Sequence, residues 1–192
     1  MVRVSAALSI LALLGSPALA QGPSAQSAPA GQAPGLATEI VGPQGSFKLQ
    51  PDGVNWERFQ TVRSIGVRCT DKACGGERVF CMIQVRGAED ARAGQPTSRE
   101  SAEEFGAGVV RNSPKEMTAG YVAPFAEKSF GPNLGQWAEL KAEGEPGSLR
   151  FGLFLAKAEK HMVAFNCVSP GAKWDENKPK FETLIGSLQI TR

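Results

Sequence analysis

In the segment SFKLQ (46–50), Phe47 and Leu49 alternate with polar neighbours, the period of a short strand with one face on a core. Pro51-Asp52-Gly53 then reads as a turn, because proline presets φ and glycine tolerates positive φ. Past Trp56 and Phe59, the residues Ile65, Val67 and Cys69 alternate again, and TDKACGGE (70–77) is a loop. Residues 79–85, VFCMIQV, are apolar almost throughout with Gln84 as the interruption, as in a central strand covered on both faces. Thr97-Ser98-Arg99-Glu100 has capping-box spacing and starts a helix running to about Arg111, with Ala102, Phe105 and Val109 on one face and Ser113-Pro114 as its stop. Strand-like segments follow at 126–131, 136–143, 149–156 and 161–168, the last three joined by the polar turns GEPG (144–147) and KAEK (157–160). Phe181, Leu184, Ile185 and Leu188 recur at helical spacing, so 174–186 reads as a helix in which Pro179 fits only within the first turn. A short strand at 187–191 closes the chain. An antiparallel sheet with helices packed on its faces buries every apolar face in this order, which predicts an α+β fold arranged as an α/β/α sandwich.

The first 37 residues have a different pattern. Arg3 precedes an apolar stretch at 4–14, Gly15 and Pro17 break it, and Ala18-Leu19-Ala20 forms an A-x-A site before Gln21. This predicts a signal peptide over 1–20, cleaved after Ala20. The apolar run is far shorter than the roughly 20 residues that cross a bilayer, and no cysteine follows the cleavage site to take a lipid. Residues 21–37 contain only small, amide and apolar residues with repeated prolines, a composition unable to bury enough surface to fold. They predict a disordered linker before a single domain at 38–192, a length that suits one core. The expected location is periplasmic or secreted.

Charge narrows the partners. The formal net charge is +2, and loss of Arg3 with the signal peptide takes one positive charge away. That balance lacks the basic field that nucleic-acid binding needs. Arg58, Arg63 and Arg68, spaced by five, fall on opposite strand faces rather than in one patch. No integral membrane segment is expected in the mature chain.

Cys69, Cys74, Cys81 and Cys167 form an even set in an exported chain, which reads as two disulfides. Three connectivities exist. Cys69–Cys74 with Cys81–Cys167 is favoured, and Cys69–Cys81 with Cys74–Cys167 is the rival. A soft-metal site from cysteine, His161 and Met162 is chemically open to copper, but oxidised cysteines are the simpler expectation, so no metal and no cofactor is assigned.

No catalytic constellation stands out. There is no G-x-S-x-G elbow, and neighbours on a helix diverge by about 100°, so Glu103-Glu104 and Asp175-Glu176 read as helix-start charges. Trp56, Trp137 and Trp174 are candidates for a ligand-lining or interaction surface, with Trp174 and the loop at Cys74 foremost. The functional expectation is a non-enzymatic, disulfide-stabilised binding or accessory protein of the bacterial envelope, with a protein or envelope component as partner. A periplasmic small-molecule or metal carrier is the alternative.

Two stretches carry a family resemblance. SFKLQPDGVNW (46–56) resembles the opening strand, Pro-x-Gly turn and tryptophan of the PsbP-like fold. Residues 135–190 resemble its closing unit of hairpin strands, a loop with Pro170, a helix with Phe181 and a terminal strand. That fold is shared by the PsbP subunit of photosystem II, a Ran-binding nuclear-transport factor and many small exported bacterial proteins. The resemblance implies the fold and no catalytic residues, since members bind unrelated partners. VRCTDKACGGERVFCMIQ (67–84) also resembles the cysteine hairpin of invasion-associated locus B proteins, which makes a secreted factor of that kind a further alternative.

Overall fold

The computed structural model describes residues 39–51, 56–61, 64–72, 76–87, 99–113, 115–145, 147–157 and 161–190. The expected signal peptide and linker, the turn beyond Pro51, Arg63, Cys74, Thr97 of the capping box and the KAEK turn beyond Lys157 lie outside these residues.

The elements run β1 (Ile40–Val41), β2 (Phe47–Leu49), β3 (Trp56–Gln60), β4 (Ile65–Cys69), β5 (Phe80–Gly87), α1 (Arg99–Arg111), β6 (Met117–Phe130), β7 (Asn133–Gly144), β8 (Leu149–Lys157), β9 (His161–Pro170), α2 (Trp174–Gly186) and β10 (Gln189–Ile190). Seven strands form one sheet in the order β3-β4-β5-β9-β8-β7-β6, with every pair antiparallel, and β1-β2-β10 form a small second sheet. The class is α+β: mostly antiparallel sheet with two helices.

Period-two alternation sorts the core. Along β9, Val163, Phe165 and Cys167 join Phe181, Leu184 and Ile185 of α2 and Phe47 and Leu49 of the small sheet. The intervening Ala164 and Val168 join Ala102 and Phe105 of α1 with Leu140, Leu153 and Leu155. Strand and helix burial supplies the drive at about 25 cal/mol per Å² of apolar surface. Asn133 fixes the end of α2 from the sheet side, its amide donating to the carbonyl of Ile185 in the last turn (3.2 Å) and to that of Leu188 just past the helix (2.9 Å).

Two features differ from expectation, the extent of β6 and the place of Pro179. The strand expected at 126–131 extends back to Met117 as β6, and its pairing with β7 slips between Tyr121 and Ala123 and again between Ala123 and Ala126. Pro124 lies in that stretch, and an edge strand tolerates proline because one side needs no ladder partner. The β6–β7 turn, Gly131-Pro132, is a two-residue loop with Gly131 at φ +58°, the backbone state that such hairpins reserve for glycine. Pro179 lies in the second turn of α2, not the first. Pro179 and Asp175, whose carbonyl loses its amide partner, are both exposed, so water can satisfy that carbonyl.

Candidate ligand-binding cleft

One helix cannot cover a seven-stranded face. At about 4.8 Å per strand the sheet is roughly 30 Å wide, against about 10 Å for a helix with its side chains. α1 packs against β6 and β7, and its other flank overhangs β8, β9 and β5. The space left beneath that flank is a cleft of about 590 Å³, within the range of about 300–1,000 Å³ typical of small-molecule sites.

Alternation dictates the lining. Phe80, Met82 and Gln84 of β5, Asn166 and Val168 of β9, and Leu149 and Phe151 of β8 face it from the sheet. Phe105, Gly108 and Val109 roof it from α1, and Asn112, Ser113 and Arg78 stand at its edges. Asn166 sits between Met82 and Leu153 in the sheet register, and Gln84 is its diagonal neighbour, opposite Ala164. The side-chain oxygen of Asn166 is buried without a hydrogen-bond partner. A buried acceptor left unpaired costs about 1–3 kcal/mol, so its presence in an otherwise apolar row requires a reason beyond packing. Sequence reading passed over Asn166 because it treated residues 161–168 as one strand. Alternation within HMVAFNCV would have placed an amide among Met162, Ala164 and Val168.

The tryptophans are elsewhere. Trp56, Trp137 and Trp174 are only 2%, 6% and 3% exposed, so these side chains do not form the interaction surface expected from their residue type. Two of them serve an internal ion cluster. Glu139 accepts from Trp174 Nε1 at 3.2 Å and Trp137 Nε1 at 3.4 Å, and it pairs with Lys178 at 2.6 Å and Arg150 at 2.9 Å. Burial opposes its ionisation, but the Lys178 hydrogen bond and charge, with the Trp137 and Arg150 donors, outweigh it and hold the carboxyl below its ordinary value. The cluster fastens the start of α2 to β7 and β8. Trp137 lies against Gly152 on β8, where any Cβ would collide with the indole.

Cys81 and Cys167, directly opposite in the β5–β9 register, form a disulfide that is fully buried. Cys69 is also oxidised. Glu103 pairs with Arg99 and Glu176 with Lys173 on their helix surfaces, so neither carboxylate pair converges on a common point. Among the described residues no three His, Cys, Asp or Glu side chains group as a metal site, and no helix is long and apolar enough to cross a membrane.

Comparison of the sequence with protein-family models and with curated proteins finds no match. Among solved structures the chain is similar to the cyanobacterial PsbP protein CyanoP from Synechocystis sp. PCC 6803, with a TM-score of 0.63 at 11% identity, covering 85% of this chain and 100% of that one. The fold is PsbP/Mog1-like. Mog1, in a point-mutant structure, gives a TM-score of 0.50 at 8% identity over 79% of this chain and 94% of its own. A protein of Bacteroides thetaiotaomicron gives 0.54 at 10% identity, covering 82% of this chain and 49% of that chain. This chain therefore spans about half the length of the Bacteroides protein. At such identities the PsbP/Mog1-like likeness concerns the backbone alone, and function has to come from the side chains.

Proposed function

We propose that this chain is an exported, non-enzymatic binding protein of the bacterial envelope that holds a small ligand in the cleft beneath α1. The observation that carries the reading is the unpaired Asn166 oxygen at the floor of that 590 Å³ space. Export is supported by the signal-peptide pattern of residues 1–20 and by the Cys81–Cys167 bridge, since disulfides persist in oxidising compartments. The non-enzymatic half rests on the sequence, whose adjacent carboxylates Glu103-Glu104 and Asp175-Glu176 read as helix-start charges rather than a converging acid–base pair. A three-layer arrangement, α1 on one sheet face and α2 on the other, belongs to the same reading and is supported by the alternation along β9.

The small-ligand reading, second to a protein partner on sequence grounds, moves ahead because the tryptophans that suggested a protein surface are internal. The locus B alternative rests on the β4–β5 hairpin alone.

Gly108→Leu fills the cleft from α1, where a Cβ meets nothing nearer than an Arg111 nitrogen at 3.9 Å. Native mass spectrometry of the chain recovered from the periplasm should show a mature form starting at Gln21 with a small adduct, and the adduct should be absent from Gly108→Leu. A chain retaining residues 1–20 overturns export, and the same adduct on both proteins overturns the cleft.

A further inference from the structure

The cleft is chemically graded from floor to mouth. Its walls are aromatic and aliphatic, with Phe80, Phe151 and Val168 on the sheet side and Phe105 above. Its floor offers one unpaired acceptor, the Asn166 oxygen. Among the described residues its mouth carries one cation, Arg78, in the short 3-10 turn Gly76–Arg78, exposed and without an ion pair among those residues. Among the described residues no aspartate or glutamate lines the cleft. The C-terminal end of α1 reaches it through Asn112 and Ser113, but a helix end contributes only about half a negative charge, less than the full positive charge of Arg78. The net preference at the mouth is for an anion.

We infer, resting on the cleft reading above, that the ligand class is an amphipathic monoanion: an apolar body between α1 and the sheet, a carboxylate at Arg78, and a hydroxyl or amide N–H donating to Asn166. Each part answers one feature. A neutral hydrocarbon leaves Asn166 and Arg78 unused, a metal cation finds no carboxylate among the described lining residues, and a polar sugar leaves the aromatic walls wet. Planar guanidinium suits a carboxylate because its N–H groups match both oxygens.

The test is a fluorescence titration of the mature chain with anilinonaphthalene sulfonate, which has an aromatic body, one N–H and one anionic group. Displacement by ω-hydroxydodecanoate, dodecanoate and dodecanediol follows. The hydroxy acid should displace the probe at about tenfold lower concentration than the diol, as one hydrogen bond to a charged group implies. It should also act at a few-fold lower concentration than dodecanoate. Arg78→Gln should erase the first difference, Asn166→Leu the second, and Gly108→Leu all displacement. If acid and diol displace equally in the unaltered chain, or Arg78→Gln changes nothing, the anion class is overturned while the cleft stands. If Gly108→Leu binds probe and competitors as the unaltered chain does, the ligand lies elsewhere and the cleft reading falls with the inference.

Discussion

Asn166 occupies a strand position whose neighbours across the register, Met82 and Leu153, are apolar. A side chain of the same shape without polar atoms removes the unpaired acceptor at no loss of packing. Asn166→Leu should therefore raise stability by about 1–2 kcal/mol, read as a higher urea midpoint with unchanged slope. A lower midpoint would make the amide a structural group and remove the reason to place a ligand there. Stability gained by deleting a polar residue is the expected mark of a functional site held against packing. Glu139 is the contrasting case, a polar residue whose partners are all in place. Its carboxyl sits below its ordinary value of 4.5 in the folded chain, so its contribution is complete above that pH and fades as pH falls through the lower folded value. Glu139→Gln should lose about 1.5–3 kcal/mol at neutral pH, and the gap to the unaltered chain should narrow below about pH 4.5. A gap that stays constant from neutral to acid pH would show that the ion cluster adds nothing.

Among the elements, two glycines on different supports predict opposite outcomes. Gly152 of β8 takes the indole of Trp137 against its backbone, so Gly152→Ala forces the ring out of a filled core and should cost about 1–3 kcal/mol. Gly108 of α1 faces open space, and Gly108→Leu should stabilise by about 0.5–1 kcal/mol because glycine is a poor helix former. Thermal unfolding of the two variants should bracket that of the parent, and a shared direction of shift would contradict the geometry. The same elements show what a sequence reading can reach. Helix α2 appears at 174–186 as its 3.6-residue spacing predicts, and β5 and β9 lie within a few residues of their apolar runs. The first half of β6 was missed because Pro124 and the slipped register break the period-two pattern, and β1 because two residues carry no period at all. The cleft was illegible for a different reason: its walls come from four separated segments, and its volume depends on where α1 rests across the sheet, which no local pattern encodes.

For the molecule as a whole, the Cys81–Cys167 bridge is the longest-range covalent constraint among the described residues, with a sequence separation of 86. It joins β5, which precedes α1, to β9, which precedes α2, so the segment inside the loop contains α1 and the β6–β8 meander. Closing a loop of this size removes denatured-chain entropy equivalent to about 4 kcal/mol, a large share of the roughly 5–15 kcal/mol by which a domain is stable. Both sulfurs are in the core and belong to the cluster that also holds α2 and the small sheet, so a reductant reaches them only when that cluster opens. Two measurements follow from this placement. The double variant Cys81→Ala/Cys167→Ala should unfold in urea at a midpoint lower by about 4 kcal/mol of stability, with the cleft and its probe binding retained in the folded fraction because neither cysteine lines it. Reductant added to the folded parent should act slowly and at a rate that rises with urea, while reductant added to the unfolded chain should act at once. Equal midpoints for the double variant and the parent would show that the loop constraint contributes nothing, and immediate reduction of the Cys81–Cys167 bridge itself in the folded parent would show that the surrounding core does not shield it.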